Sequence, residues 1–236
     1  MDSLSLKAIV LFALVVSALA EDMPVVSLSA PKPFVTDVTV DHYRTGQDLL
    51  HDATYHLITV APLTEYHGWF GSRSADQAHI HGWKVDVFAR YSPKVAAALV
   101  AAKDGYEADL NVEPEFFAAD DRSYMFARFE RKHFKWGDAL SFFSQGTQDA
   151  GVYVPHNGHL TYEVWGVTRD HRYTVVASIG VRHPKLADWG PDVRDARSIA
   201  ALKRDRDYKR IERCGAREFE PSLVAFDRML DTLVMR

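Results

Sequence analysis

The stretch Leu160-Thr-Tyr-Glu-Val-Trp-Gly-Val-Thr168, Arg169-Asp-His-Arg172, Tyr173-Thr-Val-Val-Ala-Ser-Ile-Gly-Val181 decides the fold. Two runs rich in β-branched and aromatic residues flank a short polar connection, which is the pattern of a β-hairpin. Both arms are too continuously apolar for a sheet with one face in water. The hairpin is therefore expected to be covered on at least part of both faces.

Residues 123–136 read as a further strand, with Tyr124, Phe126, Arg128, Glu130 and Lys132 on one parity and Met125, Ala127, Phe129, Arg131 and His133 on the other. His79-Ile-His-Gly-Trp-Lys-Val-Asp-Val-Phe88 reads likewise, Trp83, Val85 and Val87 sharing one face and Lys84, Asp86 and Phe88 the other. Two earlier β-branched runs, 34–40 and 54–60, complete the strands, and a Gly-, Ser- and Asp-containing loop spans 68–77. Ser92-Pro93 supplies an N-cap and a first-turn proline for a helix over 94–103, closed by Asp104-Gly105. Two more helices are predicted at the end of the chain. One covers 195–214 and stops at Gly215; the other covers 220–234 with Leu223, Phe226, Leu230 and Leu233 at helical spacing. The sum is an α+β protein with a largely antiparallel sheet, one helix after an early strand and C-terminal helices packed on the sheet. No repeat or linker divides it, so 34–236 is expected to form a single domain after a lead at 21–33.

Composition bounds the function more than it names it. With 47% hydrophobic and 25% charged residues, 13 Gly and 10 Pro in 236 residues, the chain is neither collagen-like, low-complexity nor wholly disordered. A net charge of −4 gives no electrostatic ground for nucleic-acid binding, and a single Cys excludes a disulfide-stapled scaffold. Residues 1–20 carry Lys7, an apolar run over 8–16 and then Ser17-Ala18-Leu19-Ala20. That is the order of a secretory signal peptide cleaved after Ala20, and the run falls short of the roughly 20 apolar residues that span a bilayer. The protein is accordingly expected to be secreted or periplasmic, without a lipid anchor, since no Cys follows the cleavage point. In that compartment Cys214 has no intrachain partner.

Few residues suggest chemistry. His79 and His81 alternate on one strand face and can share a zinc ion, with His67 or, against parity, Asp86 as a third ligand. Two polar residues near a sheet edge are the commoner meaning of so short a motif. His156-Asn157-Gly158-His159 centres on an Asn-Gly pair, which predicts a type I′ turn between strands. There is no Gly-x-Ser-x-Gly elbow and no dinucleotide fingerprint, and the acid pairs Glu113/Glu115, which flank Pro114, and Asp120/Asp121 are expected to be solvated loop residues rather than a glycosidase pair or a calcium site. Trp165 and Phe142/Phe143 are assigned to the core rather than to a binding groove. Residues 194–213 contain eight basic and four acidic side chains, in a chain that is net negative. On one helix Lys203, Arg206, Arg210 and Arg213 fall near one face, suited to an anionic surface. A solvated helix laced with ion pairs such as Asp205/Lys209 is the competing explanation.

From Lys84 to Asp188 the order of features resembles a family of uncharacterised bacterial extracytoplasmic proteins. The matching pieces are Val85-Asp-Val-Phe88, Ala139-Leu-Ser-Phe-Phe-Ser-Gln-Gly146, the hairpin at 160–181, His183-Pro-Lys-Leu186, and a tail with Phe219-Glu-Pro-Ser-Leu-Val-Ala-Phe-Asp227 and Met229-Leu-Asp-Thr-Leu233. The resemblance implies an exported α+β domain without an established activity. This chain departs from it with Asp170-His171 where that hairpin turns on Asp-Gly, and in lacking a lipobox Cys. The leading expectation is a non-enzymatic extracytoplasmic binding or interaction domain for a protein or envelope ligand. The alternatives are a zinc-binding protein or metal-dependent hydrolase using His79, His81 and His67, and an envelope-associated protein attached through Lys203, Arg206, Arg210 and Arg213.

Overall fold

The computed structural model describes residues 26–28, 38–44, 54–60, 78–86, 89, 124–146, 153–188, 196 and 198–235. Among these the strands are β1 (Val26–Ser27), β2 (Val38–Arg44), β3 (Thr54–Val60), β4 (Ala78–Lys84), β5 (Tyr124–His133), β6 (Gly137–Gly146), β7 (Leu160–Thr168), β8 (Tyr173–Gly180) and β9 (Val234–Met235). Three short helices lie among the last residues: α1 (Ile199–Leu202), α2 (Arg206–Arg213) and α3 (Leu223–Leu230). Strands β2 to β8 form one antiparallel sheet in the order β2-β3-β4-β8-β7-β6-β5, and β1 pairs with β9. The α+β mix expected from the sequence is present. The signal segment, the lead before Val26, the loop at 68–77, the helix at 94–103 and the acid pairs lie outside the described residues.

The hairpin β7–β8 sits inside the sheet, between β6 and β4. Leu160, Tyr162 and Val164 of β7 and Val175, Ala177 and Ile179 of β8 are buried on the side that receives the helices. The Tyr162 ring lies 6.1 Å from Phe226 of α3, and Phe143 of β6 lies 4.7 Å from Phe219. Leu223, Phe226, Leu230 and Leu233, the residues whose spacing predicted the last helix, are all buried, but the helix covers Leu223–Leu230 rather than 220–234: Glu220 bridges to Arg182, and the chain turns after Leu230 to place Val234 in β9. The other face is covered as well. Phe142 is 1% exposed and packs between Phe129, Phe126 and Trp165 at 5.3, 5.9 and 6.1 Å. Adjacent aromatics on opposite faces of β6 are thus both core residues.

Several expectations shift. The strand at 123–136 does not keep its parity, because a bulge between Ala127 and Glu130 places Arg128 at φ 53°. Met125 and Ala127 point to the helix side before it, whereas Glu130 and Lys132, opposite Ser141 and Ala139, do so after it. The extra residue inverts the alternation. Strand β4 ends at Lys84 rather than Phe88; Val85 and Asp86 turn into helical geometry, the Val85 N–H donating to the Arg172 carbonyl at 2.9 Å. Strand β2, at Val38–Arg44, runs on past the predicted end at 40, residues 34–37 lying outside the described residues, and Thr54–Val60 is found as expected.

The β7–β8 connection is where glycine would be the usual choice. His171 stands at φ 60° in the left-handed region. Side chains compensate: Thr168 Oγ1 donates to Asp170 Oδ1 at 2.6 Å, and the Arg172 N–H donates to the same oxygen at 3.1 Å. On the β7 side glycine answers a packing demand instead. A Cβ at Gly166 would stand 2.5 Å from the Asp138 carbonyl and 2.8 Å from the Trp136 ring, with neither backbone nor stacked indole free to move. Gly166→Ala is therefore expected to lower unfolding stability by about 2 kcal/mol, read from urea denaturation midpoints, with native spectra retained at low denaturant.

Candidate functional site

The positive segment near the C-terminus does not form one helix. Asp205 adopts an extended conformation (φ −64°, ψ 147°), and its carboxylate accepts the Asp207 N–H at 2.7 Å, so helix α1 ends at Leu202 and a new helix, α2, starts at Arg206. Asp205 is thus a helix cap rather than the ion-pair partner of Lys209. The break also corrects the predicted basic face. Lys203 falls in the turn between α1 and α2, away from the alignment with Arg206, Arg210 and Arg213.

Those three arginines line a cleft of about 520 Å³ together with Arg204, Lys209 and, from the loop after β8, Lys185. His183, Cys214 and Glu218 also line it, so among the described residues six cations meet one carboxylate. Part of the charge is spent within the protein. Buried Asp207 receives Arg210 at 2.7 Å and Arg206 at 3.3 Å, and Arg210 also donates to the Lys185 carbonyl at 2.7 Å. Among the described residues Lys185, Lys209 and Arg213 form no ion pair. Such a concentration of cations in a concave surface attracts anions over several ångströms.

His183 lies at the bottom of the cleft and is 0% exposed. Its Nδ1 accepts the Lys185 N–H at 3.1 Å, so the neutral ring carries its proton on Nε2. Nε2 faces Glu218 Oε2 at 3.7 Å, beyond hydrogen-bonding distance, and has no hydrogen-bond partner. Burial pulls the His183 pKa below the ordinary value; Glu218 opposes this, and Arg210 and Lys185 reinforce it. Glu218 is held below the usual carboxylate range, chiefly because it accepts the Gly215 N–H at 2.5 Å, with His183 adding to the effect.

Two anchors fix the cleft. Asn157 is buried and uses its whole side chain on the loop after β8: its Oδ1 accepts the His183 N–H at 2.8 Å, and its Nδ2 donates to the Leu186 carbonyl and Asp188 Oδ1, both at 3.1 Å. Its own N–H donates to Ala187 O at 2.8 Å. The predicted type I′ turn is thereby corrected. Asn157 does not adopt the positive φ that turn requires, and the segment, which lies in the connection from β6 to β7 as expected, clamps the cleft loop. At the other side Arg128, turned by the β5 bulge, donates through its guanidinium to the Cys214 carbonyl and through its N–H to Glu212 Oε1 at 2.7 Å. A cation at this end of α2 also complements the helix dipole. Cys214 is buried, and burial pushes its thiol pKa up, which suits an inert core residue better than a reactive one.

His79 and His81 do share one side of β4, with ring centroids 6.5 Å apart. Burial and the neighbouring His79 bring the His81 pKa down to about 4. His67 lies outside the described residues, and among the described residues no three His, Cys, Asp or Glu side chains form a group able to hold a metal ion. On the same sheet face the register aligns His79 with Ser178, and Ser178 with Glu163. Glu163 accepts hydrogen bonds from Ser144 Oγ and, at 2.7 Å, from Trp165 Nε1, and burial raises its pKa. Sequence reading passed over this acid. Its one signal was a carboxylate set among aromatic and β-branched residues in the arm of the hairpin.

No family model, curated protein or solved structure matches the chain. Among the described residues no helix is long and apolar enough to cross a membrane.

Two outcomes test the scaffold. Asn157→Ala leaves the His183 N–H and the Leu186 carbonyl without their partner, and is expected to cost about 2–4 kcal/mol in chemical denaturation. His156 is buried, and burial, aided by His159, lowers its pKa to about 4. Between pH 6.5 and 4 the unfolded chain holds a proton at this position that the native chain lacks, so stability falls as pH falls through that window. A shift of this size corresponds to about 3 kcal/mol. Denaturation at pH 7 and pH 4.5 should show a smaller acid loss in His156→Gln than in the parent.

Proposed function

We propose that the protein is an exported, non-enzymatic binding module, a single α+β domain over 34–236, whose ligand is anionic and enters the cleft along α2. The reading joins the sequence expectation of a secretory signal with the resemblance to extracytoplasmic proteins. One observation carries it: among the described residues six lysine and arginine side chains line one cleft against a single carboxylate. A structural purpose accounts for only part of that charge: Asp207 engages Arg206 and Arg210, Arg204 donates to the Ala200 carbonyl, and among the described residues Lys185, Lys209 and Arg213 are left to the cleft. The volume is that of a pocket for a ligand of small-molecule size.

Guanidinium forks and ammonium groups match carboxylate, sulfate or phosphate oxygens. Such binding weakens with salt in proportion to the number of charges neutralised. Calorimetric titration of the mature protein with inorganic pyrophosphate in 20 and 200 mM NaCl is the test. We expect measurable affinity at low salt and at least a tenfold loss at high salt. Lys209→Ala and Arg213→Ala should each weaken binding by about tenfold, the scale of one charge-assisted hydrogen bond. Affinity untouched by both substitutions would place the ligand elsewhere.

A further inference from the structure

We infer that the cleft recognises a phosphoryl group through the His183 Nε2–H and the Gly215 N–H, and that Glu218 is a tethered anion which holds this position until the ligand displaces it. The inference rests on the cleft being an anion site. Its grounds are geometric. Glu218 is the one carboxylate among the described residues of the lining, and it accepts from Gly215 at 2.5 Å. The same carboxylate stops 3.7 Å from Nε2 of a fully buried imidazole that has no hydrogen-bond partner. A buried donor without an acceptor costs free energy, and here it faces the cleft. A planar carboxylate anchored to Gly215 leaves that donor unmet. A phosphoryl group offers three terminal oxygens splayed about a tetrahedral centre, enough to take Nε2–H, the Gly215 N–H and a guanidinium of the α2 face together. The site thus carries its own weak competitor. Glu218 is half exposed, with a side-chain accessibility of 49%, so swinging it into solvent disturbs no packed core.

The groups facing His183 are Glu218 on the segment after α2, Arg210 on α2, and Lys185 on its own loop. A measurement at pH 8 keeps its ring neutral, so that affinity reports the competitor alone. Titrations with pyrophosphate in 20 mM NaCl would compare the parent with Glu218→Gln, which retains an oxygen for Gly215 but no charge, and with Glu218→Ala as a second variant. Both are expected to bind about five- to tenfold more tightly, and the His183 imidazole nitrogen resonance should move on saturation. The phosphoryl source is separated by two arms: soluble pyrophosphate, and phosphatidylcholine vesicles containing one-fifth phosphatidic acid. Response in the first arm alone identifies a soluble phosphate compound, and response in the second alone a lipid headgroup. Parent binding with unchanged or weaker affinity in both Glu218 variants, or with an unmoved His183 resonance, overturns the inference while leaving the anion cleft standing. Absence of binding by the parent in both arms removes the cleft reading and this inference together.

Discussion

The helical side of the molecule depends on one apolar surface, the inward face of β7 and its neighbours. Leu160, Tyr162 and Val164 lie beside Val175, Ala177 and Ile179, and α3 settles Leu223, Phe226 and Leu230 over them. Each such side chain contributes about 1.5–3 kcal/mol when removed from water. None of the three helices has more than eight residues, too short to persist alone, so their positions are set by this burial rather than by helix propensity. Helix α2 makes the point most clearly: Ile211 and Asp207 are buried, and the rest of its surface is nearly all charge. A single apolar anchor leaves the remaining face free to concentrate cations.

That arrangement places charge where burial would otherwise forbid it. Asp207 is a buried carboxylate held by two arginines, an arrangement that orients guanidinium groups more than it stabilises the fold. Polar groups also bind the elements together elsewhere on the helical side. Lys132 of β5 bridges Glu130 and Asp227 at 3.2 and 3.0 Å, and Tyr162 donates to the same aspartate at 3.1 Å. Burial raises the Asp227 pKa, with Lys132 opposing it, and burial and Asp227 raise that of Tyr162. Strand, bulge and helix are thus tied by a polar network adjoining the apolar contact.

The sequence made the hairpin legible because alternation and turn composition are local properties. Thr54–Val60 and the apolar stripe of α3 were legible for the same reason. Strand β6 was not picked out as a strand by periodicity, since Phe142 and Phe143 are both buried and Ser141, Ser144 and Gln145 are buried as well, which erases the two-residue period. The β5 bulge was invisible because one inserted residue carries no composition signal, yet it inverts the strand and sends Arg128 to the end of α2. For the site, the charge excess of 194–213 was apparent, and Arg206, Arg210 and Arg213 were named from it. Lys185, His183 and Glu218 were not, because the clamp by Asn157 that brings their loop to α2 joins residues far apart in the chain. A helix broken at Asp205 was equally hidden, since capping by an aspartate inside a charged run looks like one more ion-pair partner.

The order of strands has a consequence for how the chain acquires its shape. From β5 to β8 each strand pairs with the next along the sequence, so this meander closes through local encounters. The pairing of β4 with β8, His79 opposite Ser178 and Lys84 opposite Tyr173, is of another kind. During synthesis, which begins at the amino end, β2 to β4 emerge well before their partner exists. Their outer edge must wait, with backbone donors and acceptors unmatched, until the last strand of the meander arrives to cover it. The slow step of assembly would then be the meeting of two preformed halves along one seam, and the interval before it is when the nascent chain is most open to pairing with the wrong edge.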